Sequence, residues 1–112
     1  MKLLRTSTAA AVFLLNLFGT GAAMAQATQD ASRALHTRQL AANCAACHGT
    51  DGKAAAGSPL ATLAGLPSDK MLASLKDFKN GKREATVMHQ LSKGLTDDQM
   101  KTIADYFAAQ KP

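Results

Sequence analysis

The sequence predicts an all-α domain, and three observations support this fold class. Four segments carry the start and stop signals of helices, no segment alternates apolar and polar residues as a half-buried strand does, and aromatic residues are scarce. The 112 residues include four Phe, one Tyr and no Trp. A domain of this size is marginally stable unless a disulfide, a metal or a bound group completes its core. We therefore expect short helices around something that the polypeptide does not supply.

Residues 1–25 have the three parts of a secretory signal peptide. Lys2 and Arg5 supply positive charge, residues 9–18 form an apolar run, and small residues precede a cleavage point after Ala25. The apolar run is too short to span a bilayer comfortably, so we expect cleavage rather than a retained anchor. The sequence thus predicts export to the bacterial periplasm, with no membrane span after the signal is removed.

Residues 26–112 are predicted to form one domain with a small positive charge. They contain eleven Lys and Arg and eight Asp and Glu, a balance of +3. No basic run is interleaved with aromatic residues, so nucleic acid is not an expected partner. The charge suits weak docking on an acidic protein.

The first predicted helix runs from about Asp30 to Asn43, with Asp30 or Ser32 as its N-cap and Leu35, Leu40 and Ala41 among its apolar positions. It leads directly into the sequence CAACH. Residues 49–67 follow, with four glycines and two prolines, and this composition predicts a loop with one short helical turn.

Three further helices are predicted after this loop. The second opens at Ser68 and closes at Asn80, and the third lies in ATVMHQLSKG and ends at Gly94 as a left-handed C-cap. The fourth begins with a capping box formed by Thr96 and Gln99. The apolar faces of the second and fourth helices consist of Met71, Leu72, Leu75, Phe78, Met100, Ile103, Ala104 and Phe107.

The candidate functional residues are Cys44, Cys47 and His48 of CAACH, which contains the only two cysteines of the chain. A thioredoxin-like dithiol normally lies in a βαβ pattern, which is not visible here. A zinc site would need, besides the cysteines, two of the three histidines His36, His48 and His89. His48 directly follows Cys47, which is awkwardly close for a second ligand of a tetrahedral site. A structural disulfide would close a very small loop and would leave the histidine unexplained.

Haem attachment accounts for all three residues of the motif. Cys44 and Cys47 can form thioethers with two vinyl groups, while His48 presents a ring nitrogen to the iron. A covalent tether would retain the cofactor outside the cytoplasm, and the planar apolar group would supply the missing core. We therefore favour one covalently bound haem c over zinc or dithiol chemistry.

The chain resembles a short class I cytochrome c of the bacterial periplasm. The resemblance rests on CAACHGTDG, LAGLP, LKDFKNGKR, TVMHQLSKGL and the ADYFAAQ ending. These stretches are similar to the haem subunit of flavocytochrome c sulfide dehydrogenase and to single halves of two-haem periplasmic cytochromes. The resemblance implies about four helices wrapped round haem, with the first and last packed together. Because the sequence has one CxxCH only, any second haem or a flavin would be on another polypeptide.

The sixth iron ligand is expected to be Met88, which lies between the long helices and matches the methionine of the family. Met71 and Met100 fit apolar helix faces, where methionine is a good core filler. His89 is the competing nitrogen ligand. His36, on the first predicted helix, is the other histidine outside the motif and is expected to be solvated.

The resemblance also nominates the carbonyl of Pro59 as the acceptor for the distal nitrogen of His48. The alternative is that Pro59 only stiffens a turn of the loop.

A haem iron held by His48 and Met88 has no vacant position for a substrate, so the sequence predicts an electron carrier that is not itself an enzyme. The expected partners are redox proteins, including a flavoprotein subunit if the chain relays electrons in a sulfide-oxidising complex. The alternative is a haem protein with a labile sixth ligand and a binding or catalytic role. The cations that would surround the methionine side, either as a solvated face or as a docking ring, are Lys70, Lys76, Lys79, Lys82, Arg83 and Lys93.

Overall fold

A computed structural model describes the backbone of residues 7–112 and the side chains of residues 22–112. The elements are helix α1 (Ser7–His48), a 3-10 turn (Thr50–Gly52), α2 (Ser68–Lys79), α3 (Met88–Lys93) and α4 (Asp97–Ala108). No strand occurs within residues 7–112, and the predicted all-α class is confirmed. Lys2 and Arg5 of the predicted signal peptide lie outside the described residues.

The chain divides into two units, Met1–Leu35 and His36–Pro112, with the boundary inside α1. In the first unit, every described side chain from residue 22 onward is exposed, including Met24 and Leu35. The second unit contains the remaining helices, the loop and the CAACH motif. The packing described below is that of the second unit.

Helix α1 is longer than the sequence predicted at both ends. Asp30 and Ser32 are not N-caps but interior residues, because the sequence from Ala22 to His48 contains no glycine or proline to interrupt a helix. At its C-terminal end the helix includes the whole CAACH motif and stops at Gly49, which has a φ of 85°. The predicted end at Asn43 is therefore wrong, and the motif lies on a helix.

The core is formed by the predicted apolar faces of α2 and α4. The buried residues of this cluster are Ala41, Met71, Leu75, Met100, Ile103, Ala104 and Phe107. Helix α2 packs against both α3 and α4, while α1 contributes Ala41, with Leu40 and Cys44 packed beside it. Ala41 thus brings the first helix into the core that α2 and α4 form. The main helix contacts join α2 to α3 and α2 to α4, and the close packing of the first and last helices that the resemblance implied is not among them.

The start of α4 follows the predicted capping box. The Thr96 side chain accepts a hydrogen bond from the Gln99 backbone N–H, and the Gln99 side chain accepts one from the Thr96 backbone N–H. Gly94, in contrast, is not a left-handed cap: its φ is −75° and its ψ is −9°. The chain continues in a right-handed turn because Thr96 begins the next helix two residues later.

The loop after the motif is organised around Gly52. Its φ is 79°, a conformation that favours glycine, and it is buried against the ring of Phe107. The Gly52 carbonyl accepts hydrogen bonds from the backbone N–H groups of Leu63 and Ala64. These bonds fold residues 53–64 back toward the end of α1.

Candidate haem-binding site

The three residues of the CAACH motif share one face of α1. Cys44, Cys47 and His48 are related by i, i+3 and i+4, the spacings that bring side chains together on a helix. The same stripe begins with Leu40 and Asn43, and all five side chains line one cavity. The spacing of the motif is thus the spacing of a helix face.

This cavity has a volume of about 380 Å³ and mostly apolar walls. Helix α3 supplies a second stripe at the same spacing, beginning with Met88 and Leu91. The side chains around the cavity are Leu40, Asn43, Cys44, Cys47, His48, Leu60, Leu75, Ala85, Thr86, Val87, Met88, Leu91, Ser92, Leu95 and Ile103. The four predicted haem ligands therefore face a single space.

The orientation of His48 is fixed by the loop. Its Nδ1 lies 2.7 Å from the carbonyl oxygen of Ala61. A carbonyl can only accept, so the Nδ1–H donates, and Nε2 keeps the lone pair that binds a metal. The expectation that Pro59 would supply this carbonyl is wrong. The acceptor lies two residues later, where the chain turns back to bond with Gly52.

The thiols of Cys44 and Cys47 are not joined in a disulfide. Burial raises the pKa of the Cys44 thiol. A redox-active dithiol needs a thiol whose pKa is lowered instead, so this environment does not suit thioredoxin-like exchange. Covalent attachment of haem needs both sulfurs beside the space that the apolar ring would fill. Cys44 and Cys47 both line this cavity.

The grouping that a zinc site would need is absent from the part of the chain that the structure describes. No three side chains of His, Cys, Asp or Glu gather there around a common point. His36 is exposed on α1, as expected, and His89 lines a separate open cavity of about 600 Å³ beside Phe78 and Arg83. Only His48 of the three histidines lines the cavity with the cysteines.

The three methionines of residues 26–112 occupy two kinds of environment. Met71 and Met100 are buried in the core, where they fill space between helices. Met88 is half-buried at the first position of α3 and lines the same cavity as the motif. Of these methionines, Met88 is the one that faces the same space as His48.

The cavity walls fit an apolar group better than water. Leu60, Val87 and Leu91 line it, yet they are 43%, 55% and 45% exposed. Ser92 also lines it, and its buried Oγ makes no hydrogen bond within the described residues. A large apolar cofactor would cover these side chains, so the residues present fit a haem. The sequence did not single out Ser92 or Ala61, because neither carries a local signal.

Comparison with protein families decides the identity of this fold. The family model described as cytochrome c matches residues 34–111. The chain belongs to the cytochrome c family. Proteins of this family bind covalent haem c and have an electron-transfer role.

Several bacterial cytochromes are similar to this one. The cytochrome subunit of sulfide dehydrogenase from Chlorobaculum tepidum is 41% identical over 61% of this chain and 60% of its own length. Cytochrome c4 from Pseudomonas aeruginosa is 40% identical over 88% of this chain and 46% of its own. The thiosulfate dehydrogenase electron acceptor from Thiomonas intermedia is 40% identical over 64% of this chain and 33% of its own length. The matched part of this cytochrome thus spans between one third and three fifths of these relatives.

A solved structure of cytochrome c4 from Acidithiobacillus ferrooxidans has a similar fold. It matches with a TM-score of 0.55 and 39% identity, covering 59% of this chain and 37% of that one. In the described part of this cytochrome, no helix combines the length and apolar character that a membrane span requires.

Two of the six cations considered for docking are engaged within the cytochrome itself. Lys79 Nζ donates to the carbonyl of Leu95 at 2.6 Å, and Arg83 donates to Ser74 Oγ at 3.1 Å while its guanidinium lies over the Phe78 ring. The exposed cations of that set are Lys70, Lys76, Lys82, Arg83 and Lys93, and Lys79 is half-buried.

Proposed function

We propose that this cytochrome transfers single electrons in the periplasm through one covalently attached haem c ligated by His48 and Met88. The observation that supports the proposal is that Cys44, Cys47, His48 and Met88 line the same apolar cavity. The cysteines and the imidazole come from α1, and the thioether comes from α3. The haem, when bound, supplies an iron that alternates between the ferric and ferrous states by one electron.

Each of these residues has a distinct part. The sulfurs of Cys44 and Cys47 form the thioethers, and the helical spacing keeps both near the imidazole. His48 binds through Nε2, because its Nδ1–H is held by the Ala61 carbonyl. Met88 supplies a thioether, which favours ferrous iron and raises the reduction potential relative to a second imidazole.

The proposed mature chain begins near Gln26 and forms one domain from residue 26 to residue 112. The signal-like sequence of residues 1–25 supports export and cleavage after Ala25. Attachment of haem after export would also occur in the periplasm, which agrees with the proposed location. With one CxxCH in the sequence, we assign one haem to this chain.

The proposed partners are redox proteins, and a sulfide-oxidising flavoprotein is the specific candidate. The similarity to the cytochrome subunit of sulfide dehydrogenase supports this candidate. Leu60, Val87 and Leu91 give the cavity an exposed apolar margin. A weakly held partner could dock against this margin, with the exposed lysines steering its approach.

The test is to produce the full chain in a host that attaches c-type haem and to measure its intact mass and redox titration. We expect the mass of residues 26–112 plus one haem, haem staining that survives denaturation, and a one-electron titration. A colourless protein that contains zinc or a Cys44–Cys47 disulfide would contradict the proposal. Rapid carbon monoxide binding by the ferrous protein would instead favour the alternative role with a labile sixth ligand.

A matched experiment tests the partner. A flavoprotein that reduces the cytochrome should do so more slowly when Val87 is changed to Asp, which places a charge in the apolar margin. The control is Leu35→Asp, which adds the same charge at an exposed apolar residue outside the cavity lining. Equal rates for both variants would contradict docking at this margin.

A further inference from the structure

Ser92 is the one fully buried polar residue within the described residues. It is 0% exposed, and its Oγ makes no hydrogen bond there. A serine inside a helix commonly donates to the carbonyl four residues earlier, which here is that of Met88, but Ser92 does not. A buried hydroxyl without a partner is destabilising, and Ser92 is one of the residues that line the cavity. We therefore expect this hydroxyl to gain an acceptor from a neighbouring side chain when a group fills the cavity.

The chemistry of the cavity limits what that acceptor can be. No Lys or Arg side chain lines it, so a charged carboxylate beside Ser92 would be buried without a counter-ion. The acceptor that fits is neutral. A thioether sulfur is such an acceptor, although a weak one.

Met88 brings a thioether to the same face of α3. Met88 and Ser92 are four residues apart, which makes them neighbours on a helix, and both line the cavity. Since Ser92 Oγ has no partner, the two groups are not bonded in this structure. The methionine side chain has three rotatable bonds and can turn its sulfur further into the cavity, as iron ligation requires.

We propose that Ser92 is a positioning residue for the sixth ligand, whose O–H donates to the Met88 sulfur when that sulfur binds iron. The inference rests on the proposed function, because it needs Met88 as the ligand. A sulfur that accepts this hydrogen bond has less electron density to give to ferric iron. The contact therefore favours the ferrous state and limits the orientations of the thioether.

The experiment compares Ser92→Ala with Ser92→Thr in the holoprotein, using two readouts. The first is the reduction potential, and the second is the weak far-red charge-transfer band of sulfur-ligated ferric haem. We expect Ser92→Ala to lower the potential and displace the band, while Ser92→Thr, which keeps the hydroxyl, preserves both. Thr86→Val is the control, because it removes an exposed hydroxyl that lines the same cavity but is not on α3.

The outcomes separate this inference from the proposed function. If the parent lacks the far-red band, the Met88 assignment fails and the role of Ser92 fails with it. If the parent has the band and Ser92→Ala changes neither readout, only the Ser92 inference is overturned. A lowered potential with an unmoved band would also overturn it, because the hydroxyl would then act on a haem carboxylate and not on the sulfur.

Discussion

The phenol of Tyr106 donates a hydrogen bond to Asp51 Oδ1 at 2.7 Å. This contact joins α4 to the turn that directly follows the haem-binding motif. Asp51 has a φ of 54°, an uncommon conformation for a residue other than glycine. The hydrogen bond therefore helps to hold a turn that the backbone alone would not favour.

Tyr106→Phe should destabilise the holoprotein by about 1 kcal/mol at neutral pH, the usual net value of one hydrogen bond. The bond to Asp51 raises the pKa of Tyr106 above 10.0. Its stabilisation is therefore present below pH 10.0 and is lost as the pH rises through the folded-state pKa. Urea unfolding at several alkaline pH values measures this loss, which Tyr106→Phe should not show. Asp51→Asn should retain an acceptor for the Tyr106 hydroxyl, and its stability should depend less on alkaline pH than that of the parent. Identical alkaline profiles for the parent, Tyr106→Phe and Asp51→Asn would contradict the prediction.

Asp105 should stabilise the folded protein, and this stabilisation should be lost at acid pH. Hydrogen bonds from Lys101, at 2.6 Å, and from Ser68 lower the pKa of this carboxyl below 3.8. The stabilisation is present above pH 3.8 and is lost as the pH falls through the folded-state pKa. Asp105→Asn should flatten the acid limb of the unfolding curve, and Ser68→Ala should flatten it less. An acid limb that is as steep in Asp105→Asn as in the parent would rule out this contribution.

Gly52 and Gly57 allow backbone strain to be separated from steric conflict. Both have a positive φ, 79° and 77°, but a Cβ at Gly52 would lie 2.7 Å from the Phe107 ring, whereas nothing lies within 4 Å of one at Gly57. We expect Gly57→Ala to cost about 1 kcal/mol and Gly52→Ala about 2 to 4 kcal/mol. Chemical unfolding of the two holoproteins measures the difference. Equal costs would show that the loop moves easily away from α4.

Met88→Ala should abolish the far-red band of the ferric protein and lower the reduction potential. Either His89 or water would then occupy the sixth position, and each stabilises ferric iron more than a thioether does. The ferrous variant should also bind carbon monoxide faster than the parent. Met71→Leu and Met100→Leu are the controls, because both side chains are buried in the core. If the band persisted in Met88→Ala but disappeared in one of the controls, the iron ligand would be the methionine changed in that control and not Met88.

Replacing both Cys44 and Cys47 with Ala should leave a poorly ordered chain. Without attached haem, the cavity of about 380 Å³ has no apolar occupant, and the remaining core is a small cluster of side chains. Circular dichroism and thermal unfolding of the variant test this dependence. Native-like helicity with a cooperative transition would show that the polypeptide folds without its cofactor.

Features governed by neighbouring residues could be predicted from the sequence. The capping box of Thr96 and Gln99 depends on a four-residue pattern, and the buried stripe of α4 depends on helical periodicity. The haem motif is local as well. The core positions of Met71 and Met100 follow from the same periodicity, while the assignment of Met88 as the iron ligand stays a prediction.

Features that depend on how distant segments meet could not be predicted in the same way. Whether Pro59 or Ala61 reaches His48 is set by the hydrogen bonds of Gly52 to the far end of the loop. The conformation of Gly94 is set by the helix that follows it. Ser92 is buried beside the cavity because α3 packs against α2.

Because CAACH is the last turn of α1, the motif has little tolerance for changes in length. Each residue added to an α-helix rotates everything after it by roughly 100° about the axis. One residue inserted between Cys47 and His48 would swing the imidazole off the face that it shares with Cys44, although the chain would be only slightly longer. Loop residues near Gly57, which have open space around them, carry no such angular constraint. Insertions and deletions should therefore accumulate in the loop and be excluded from the helix end, so that the geometry of a single helical turn limits how this domain can diverge.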